Sequence, residues 1–301
     1  MNRRRIKPRE LRQRILAVLL TVLAAAAALV FLVPTVLTIS SSFMSQSEIA
    51  ANYGQVFSSV TDRTTYVSKH VTLKFIPDLI SFSQYSTVLI RSPEYLLKFW
   101  NSVILVVPIV VFQLFIAAFA SYSFSQFRGR IKEMIFFLYI ILMLMPYQVT
   151  LVPNYLVAQW LHTLDTRWAI ILPGIFAPFS VFILTKYMRR IPAGMIEAAK
   201  LDGAGHWQVF MQICMPLCKS ALYSIMILVF IDYWNMVEQP IILLSDTELH
   251  PLSVFLSKIN SGEVGLAFAV ATIYMVPTLL LFLHGEEYLV EGITYSGSVK
   301  G

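Results

Sequence analysis

Apolar residues run in long blocks separated by short polar segments, and the block lengths decide the fold class. From Ile15 to Ile39 the chain is apolar except for Thr21, Pro34, Thr35 and Thr38. A helix of about 20 such residues crosses the hydrocarbon core of a bilayer, so residues 15–40 are predicted as a first membrane helix. Five further blocks follow: Val103–Tyr122, Ile135–Val152, Trp168–Tyr187, Ala221–Trp234 (short, extendable to Leu244) and Leu266–Leu283. The pattern predicts an all-α membrane protein of six transmembrane helices. Residues 1–14 form a basic N-terminus, 41–102 a polar segment outside the membrane, 103–285 a five-helix core, and 286–301 a tail.

Composition agrees with this reading. The chain is 57% hydrophobic and 13% charged, against roughly 25% charged in a soluble domain. Arg3, Arg4, Arg5, Lys7, Arg9, Arg12 and Arg14 precede the first block, and Lys186, Arg189, Arg190, Lys200 and Lys219 cluster beside later ones. Cytoplasmic loops carry this excess, so both termini are expected in the cytoplasm and the net charge of +6 reports membrane orientation, not nucleic-acid binding. A signal peptide has an apolar core of only about 7–15 residues, so the first block is expected to remain as an anchor. Pro34, Pro108, Pro146, Pro153, Pro173, Pro178 and Pro277 should kink or break the spans, where neighbouring helices can satisfy the freed carbonyls.

The residues exclude most chemistry. A phosphate-cradling loop needs Gly-x-x-x-x-Gly-Lys-Ser/Thr; before Lys219-Ser220 stands Cys218, where the second glycine belongs. His70, His162, His206, His250 and His284 are scattered. Cys214 and Cys218, with His206 nearby, do not complete a four-ligand metal site, and they are expected to be reduced structural thiols. No catalytic residue, metal or cofactor is expected in this chain.

Polar residues inside membrane blocks are expensive and are functional candidates. The richest set closes the fifth block: Asp232, Trp234, Asn235 and Gln239, ahead of Pro240. Aromatic faces stack on sugar rings, and amides or carboxylates pair with hydroxyls. The alternatives are that Asp232 bonds a neighbouring helix and that Trp234 is an interfacial anchor. Tyr147 and Gln148 follow Pro146 in the third block and could line the same path; Gln113 could do so or bond another helix.

One polar loop, residues 191–218, separates the fourth and fifth blocks. A helix through Glu197-Ala198-Ala199-Lys200 should end at Asp202-Gly203, where glycine permits the left-handed turn. A second helix would place Trp207, Phe210, Met211 and Cys214 on one face at helical spacing. Glu197-Ala198-Ala199, Gly203 and the closing Met215-Pro216-Leu217 resemble the EAA loop of bacterial ABC importer permeases. The wider EAAKLDGAGHWQVF is similar to the carbohydrate-uptake, MalG-like branch. The resemblance implies the MetI-like, type I importer permease fold. It also implies a coupling knob seated in an ATPase subunit through Glu197, Ala198, Ala199, Asp202, Gly203 and Trp207. Trp234 and Asn235 align with the family's Trp-Asn before a proline. FSQYSTVLIRSPEYLLKFWNS is similar to its amphipathic stretch, and the close of the chain to its G-x-V-K-G end.

Implied partners are a second permease subunit, two ATPase subunits that bind ATP and Mg, an extracytoplasmic solute-binding protein and the lipid bilayer. The implied function is ATP-driven import of a sugar or oligosaccharide across the bacterial cell membrane. A polyamine or amino-acid permease and an ATP-independent secondary transporter are the alternatives.

Overall fold

The computed structural model describes residues 8–58, 73–127, 129–258 and 264–297. Arg3, Arg4, Arg5 and Lys7 of the basic N-terminus, residues 59–72 of the polar segment and residues 298–301 of the tail lie outside them. No strand occurs among the described residues. The chain divides into two compact units, residues 1–91 with 259–273, and 92–258 with 274–301.

In the first unit, helix α1 (Pro8–Ser42) covers the first apolar block, followed by α2 (Gln46–Ser58) and the short α3 (Ser83–Ser86), which continues as a π turn over Thr87–Arg91. The apolar side chains of α1 project outward, with Phe31 81% exposed; a bilayer is the solvent that covers such a surface. Beyond Ile39 the helix becomes part of a small core, in which Met44, Ile49 and Tyr53 pack with Val264. The irregular segment 73–82 is tied down by charge. Lys74 bridges Glu48 at 2.9 Å and also Asp78, while Glu48 accepts the Asp78 N–H at 2.9 Å. Hydrogen bonds donated by Lys74 to Asp78 and then to Glu48 hold its ammonium above its ordinary pKa. The polar segment 41–102 thus contains its own ion-pair knot.

The second unit is built around α4 (Pro93–Gln126). It starts ahead of the apolar block at Val103 because Pro93 and Glu94 supply a good first turn. Leu105, Val106 and Ile109 on α4 are fully buried. Next come α5 (Arg130–Leu144), α6 (Tyr147–Trp160), α7 (Trp168–Ile175) and α8 (Pro178–Met188). The loop region contains α9 (Ala193–Leu201), α10 (His206–Gln208), a π turn over Val209–Cys214 and α11 (Met215–Leu217). After it come α12 (Lys219–Trp234), α13 (Glu238–Leu243), a 3-10 turn over Thr247–Leu249 and α14 (Leu252–Ser257). The last helix, α15 (Val264–Gly297), runs unbroken into the predicted tail and contributes residues to both units.

Helix α4 packs against α8, α7 and α12. Gln113, a candidate for the substrate path, is 2% exposed and donates to Ser180 Oγ at 2.6 Å. It is a helix–helix tie, as is Ser121, which donates to the Val181 carbonyl at 3.0 Å. Gly285 on α15 permits close approach to α12, since a Cβ there would overlap the Ile227 side chain.

Among the described residues, four helical stretches are long and apolar enough to cross a membrane, and six spans result when each of two bent pairs is counted once. The predicted span Ile135–Val152 is one such pair, α5 and α6 meeting at 106°. Proline is the cause. It disfavours helical geometry in the residue before it, and Met145 is extended at φ −73°, ψ 127°. Pro34, Pro108, Pro153, Pro173 and Pro277 instead lie within helices.

Candidate coupling and translocation sites

The loop after α8 forms a knob whose shape follows from two glycines. Helix α9 ends at Leu201, and Gly203 adopts φ +87°. The Ala204 N–H donates to Ala199 O at 2.9 Å and the Gly203 N–H to Lys200 O at 3.1 Å. This pair of bonds satisfies two carbonyls orphaned at a helix end. No atom lies within 4 Å of a Cβ built on Gly203, so its backbone angle, not space, calls for glycine. After Gly205, the Gln208 side chain reaches back to accept the Gly205 N–H at 2.8 Å.

The second half of the knob differs from the expected stripe of Trp207, Phe210, Met211 and Cys214. Val209, Phe210 and Cys214 are buried, whereas Trp207 is 61% and Met211 47% exposed. The π turn over Val209–Cys214 is the reason. Its i→i+5 bonds replace the helical repeat, so Val209 and Cys214 face inward together. Cys214 and Cys218 are buried and unbonded, and no group of three His, Cys, Asp or Glu side chains is poised for a metal among the described residues.

Glu197, Ala198, Asp202 and Gly203 are exposed on the knob. Ala199 was expected beside Ala198 on the slim outer face, but it is half-buried against the chain's own core. Trp207 leans on Phe119 of α4 with rings 6.2 Å apart and nearly parallel, leaving much of the indole open. Two residues that the motif does not single out are also uncovered: Leu201 is 89% and Met195 47% exposed. Both stand off the face marked by buried Ile196, a phase visible in the helical repeat.

Behind the knob, Tyr122 of α4 packs edge-on against Phe210 at 5.2 Å. Its hydroxyl donates to the His206 carbonyl at 3.1 Å and lies 3.2 Å from His206 Nδ1. His206, isolated in sequence, is thereby fixed to α4. A cavity of about 660 Å³ opens beside α9, lined by Glu197 and Lys200 together with Lys132, Glu133 and Arg189. Arg189 donates to the Phe124 carbonyl at 3.1 Å and covers the Phe136 ring.

At the end of α12 the predicted residues separate. Trp234 is 1% exposed. It stacks with Phe230 at 5.1 Å and Tyr274 at 5.4 Å, meets Phe99 edge-on, and donates from Nε1 to the Tyr274 carbonyl at 3.1 Å. No face is free for a sugar, and the ring is not an interfacial anchor. The stacking role assigned to Trp234 is therefore corrected: it is a core residue, enclosed by helices distant in sequence.

Asn235 caps α12, donates to the Ile231 carbonyl at 2.8 Å, and receives the Tyr274 hydroxyl at 3.0 Å. Asp232 and Gln148 are exposed, while Gln239 and Tyr147 are half-buried. Helix α13, which carries Gln239, packs on α6, which carries Tyr147 and Gln148.

The segment beyond α13 is braced. Arg167 Nη2 donates to Asn101 Oδ1 at 2.8 Å, and Asn101 Nδ2 donates to the Glu248 carbonyl at 2.6 Å. The Ser245 N–H donates to Asp165 at 2.5 Å, which holds that carboxyl below its ordinary pKa. Asp165 and His162 occupy positive φ, 60° and 55°.

A family model described as the inner membrane component of binding-protein-dependent transport systems matches residues 113–285. An arabinooligosaccharides transport system permease protein of Halalkalibacterium halodurans is 27% identical over 270 residues, 88% of this chain and 96% of that protein. A probable ABC transporter permease protein of Bacillus subtilis is 36% identical over 211 residues, 67% of this chain and 69% of that protein. Among solved structures, a bacterial ABC transporter involved in the import of the acidic polysaccharide alginate superposes with a TM-score of 0.73 at 25% identity, covering 92% of this chain and 97% of that one.

Proposed function

Because this chain belongs to the family of inner membrane components of binding-protein-dependent transport systems, we propose that it forms half of the path of an ATP-driven importer for a sugar or oligosaccharide. The observation that carries the coupling part is the exposed knob. Leu201 and Trp207 hold large apolar surfaces in water beside Glu197 and Asp202, as a docking surface for an ATPase subunit would. The relatives named for arabinooligosaccharides, lactose and diacetylchitobiose support the sugar class.

In this reading both termini and the knob are cytoplasmic, and the Arg167–Asn101 brace faces outward. Two ATPase subunits bind ATP and Mg, a second permease subunit completes the path, and a solute-binding protein delivers the sugar from outside. ATP-driven closure moves the knob, and α4 follows through Phe119 and Tyr122. The ATPase shifts the equilibrium only through contacts that differ between the two states. Glu197, Asp202 and Gly203 accordingly serve transmission and not affinity, while Asn235, Asp232, Gln239, Tyr147 and Gln148 line the path.

Purification of the chain from native membranes in mild detergent, followed by mass spectrometry and an ATPase assay, tests this. Recovery of a second permease and an ATPase, stimulated by a sugar-loaded binding protein, is expected. A chain that purifies alone and moves sugar into liposomes without ATP would overturn the proposal.

A further inference from the structure

The cavity of about 660 Å³ beside α9 is walled by three membrane spans as well as by the knob. Phe124 and Gln126 close α4, Lys132 and Glu133 stand in the first turn of α5, and Met188 and Arg189 end α8. Where spans end, hydrocarbon gives way to lipid headgroups. The cavity therefore lies at headgroup depth.

Five charged side chains border it: Lys132, Arg189, Lys200, Glu133 and Glu197. They do not neutralise one another, since the ion pairs among the described residues all lie at Lys74 and Lys98. Two of the cations are fixed in place without an acid. Lys132 Nζ donates to Ser123 Oγ at 3.2 Å and sits 4.3 Å from the centroid of the Phe127 ring. Arg189 donates to the Phe124 carbonyl at 3.1 Å and lies 4.8 Å from the centroid of the Phe136 ring. Phe127, Met188 and Ile191 add apolar wall.

Charges of both signs, held apart around one space, match a ligand that carries both signs. Arginine and lysine suit a phosphate, and basic pockets between membrane helices take phospholipid headgroups. An anionic headgroup would satisfy the cations but meet two carboxylates. A choline headgroup has no N–H to offer those carboxylates. A primary ammonium beside the phosphate answers both sets.

We propose that this cavity seats the headgroup of an aminophospholipid. Its phosphate rests on Lys132, Arg189 and Lys200, its ammonium on Glu133 and Glu197, and its glycerol against Phe127, Met188 and Ile191. The lipid would join α4, α5 and α8 to α9 at the base of the knob. The site needs only that these spans lie in a bilayer, whatever solute the protein carries.

The full complex, reconstituted into nanodiscs of equal parts phosphatidylethanolamine, phosphatidylcholine and phosphatidylglycerol, provides the test. Lipids retained on release are counted by native mass spectrometry. Phosphatidylethanolamine is expected to exceed each of the others by about fivefold, the size of one net hydrogen bond. Glu133→Gln should lower retention of phosphatidylethanolamine and raise that of phosphatidylglycerol, opposite responses that a loss of folding cannot produce. Lys132→Gln combined with Arg189→Gln should lower both. Arg189 also braces α4, so the exposed Lys200→Gln is measured as a milder variant with the same expected direction.

Equal retention of the three lipids overturns the proposal. So does retention that neither Glu133→Gln nor Lys200→Gln alters, which would place the lipid elsewhere. A complex that keeps no lipid would mean that a protein partner fills the cavity. Glycerophosphoethanolamine, the headgroup without acyl chains, is added to the detergent-purified complex as a competitor. Displacement of the lipid at comparable concentration would assign the cavity to a soluble phosphate ester instead.

Discussion

The knob and the end of α12 each present a tryptophan beside polar residues in a run the family resemblance marks, yet the fold treats them oppositely. Trp207 is 61% exposed and Trp234 1%. Trp207 rests on a single helix, α4, through Phe119. Trp234 is enclosed by Phe99, Phe230 and Tyr274, and its N–H is satisfied. A large aromatic left in water is a surface awaiting a partner. One with its surroundings filled is part of the frame that holds the path. The same residue type is thus architecture in one place and, on the proposed function, a coupling surface in the other.

The sharpest way to break this contrast is truncation of the buried ring. Trp234→Ala should cost about 3–5 kcal/mol, as large aromatic deletions in cores do. It should appear as a fall in the thermal midpoint of the detergent-solubilised complex and in membrane expression. Unchanged stability would mean that the ring does not hold α12 and α15 together.

The next effect concerns the turn that shapes the knob. Gly203→Val forces a β-branched residue to positive φ, a strain of about 1–3 kcal/mol, with no clash to relieve. The chain should insert and fold while sugar-stimulated ATPase activity no longer drives uptake. Gly203→Asn, which tolerates the left-handed region, should restore much of the coupling. Normal uptake by the valine variant at normal expression would remove Gly203 from the transmission route.

The smallest stability change is expected at the exposed ring. Trp207→Ala should alter the thermal midpoint by about 1 kcal/mol or less, as surface substitutions do, while reducing ATPase recovery in the pull-down. A stability loss equal to that of Trp234→Ala would erase the distinction between the two sites.

Much of the knob was legible because its rules are local. The end of α9 at Leu201 and the positive φ of Gly203 follow from Asp202-Gly203 alone, since glycine is the least strained residue there. The register beyond it was not legible. The π turn at Val209–Cys214 widens one helical turn, and sequence periodicity assumes that none does. Ala199 likewise turned inward because α9 lies against the unit's own core. The bend at Pro146 could be placed, but its size depends on the contacts α6 makes with α13.

Block lengths and charge placement, properties of the chain read in one dimension, sufficed to establish an all-α membrane protein with a polar loop between its fourth and fifth apolar blocks. Hydropathy acts residue by residue, so it survives without coordinates. Burial does not, because it depends on which distant segments meet. Only the tertiary structure closed the core over Trp234, paired Gln113 with Ser180, and tied His206 to Tyr122. Each of these joins residues from different helices, and the energy that selects them comes from packing and hydrogen bonds formed only once those helices have met.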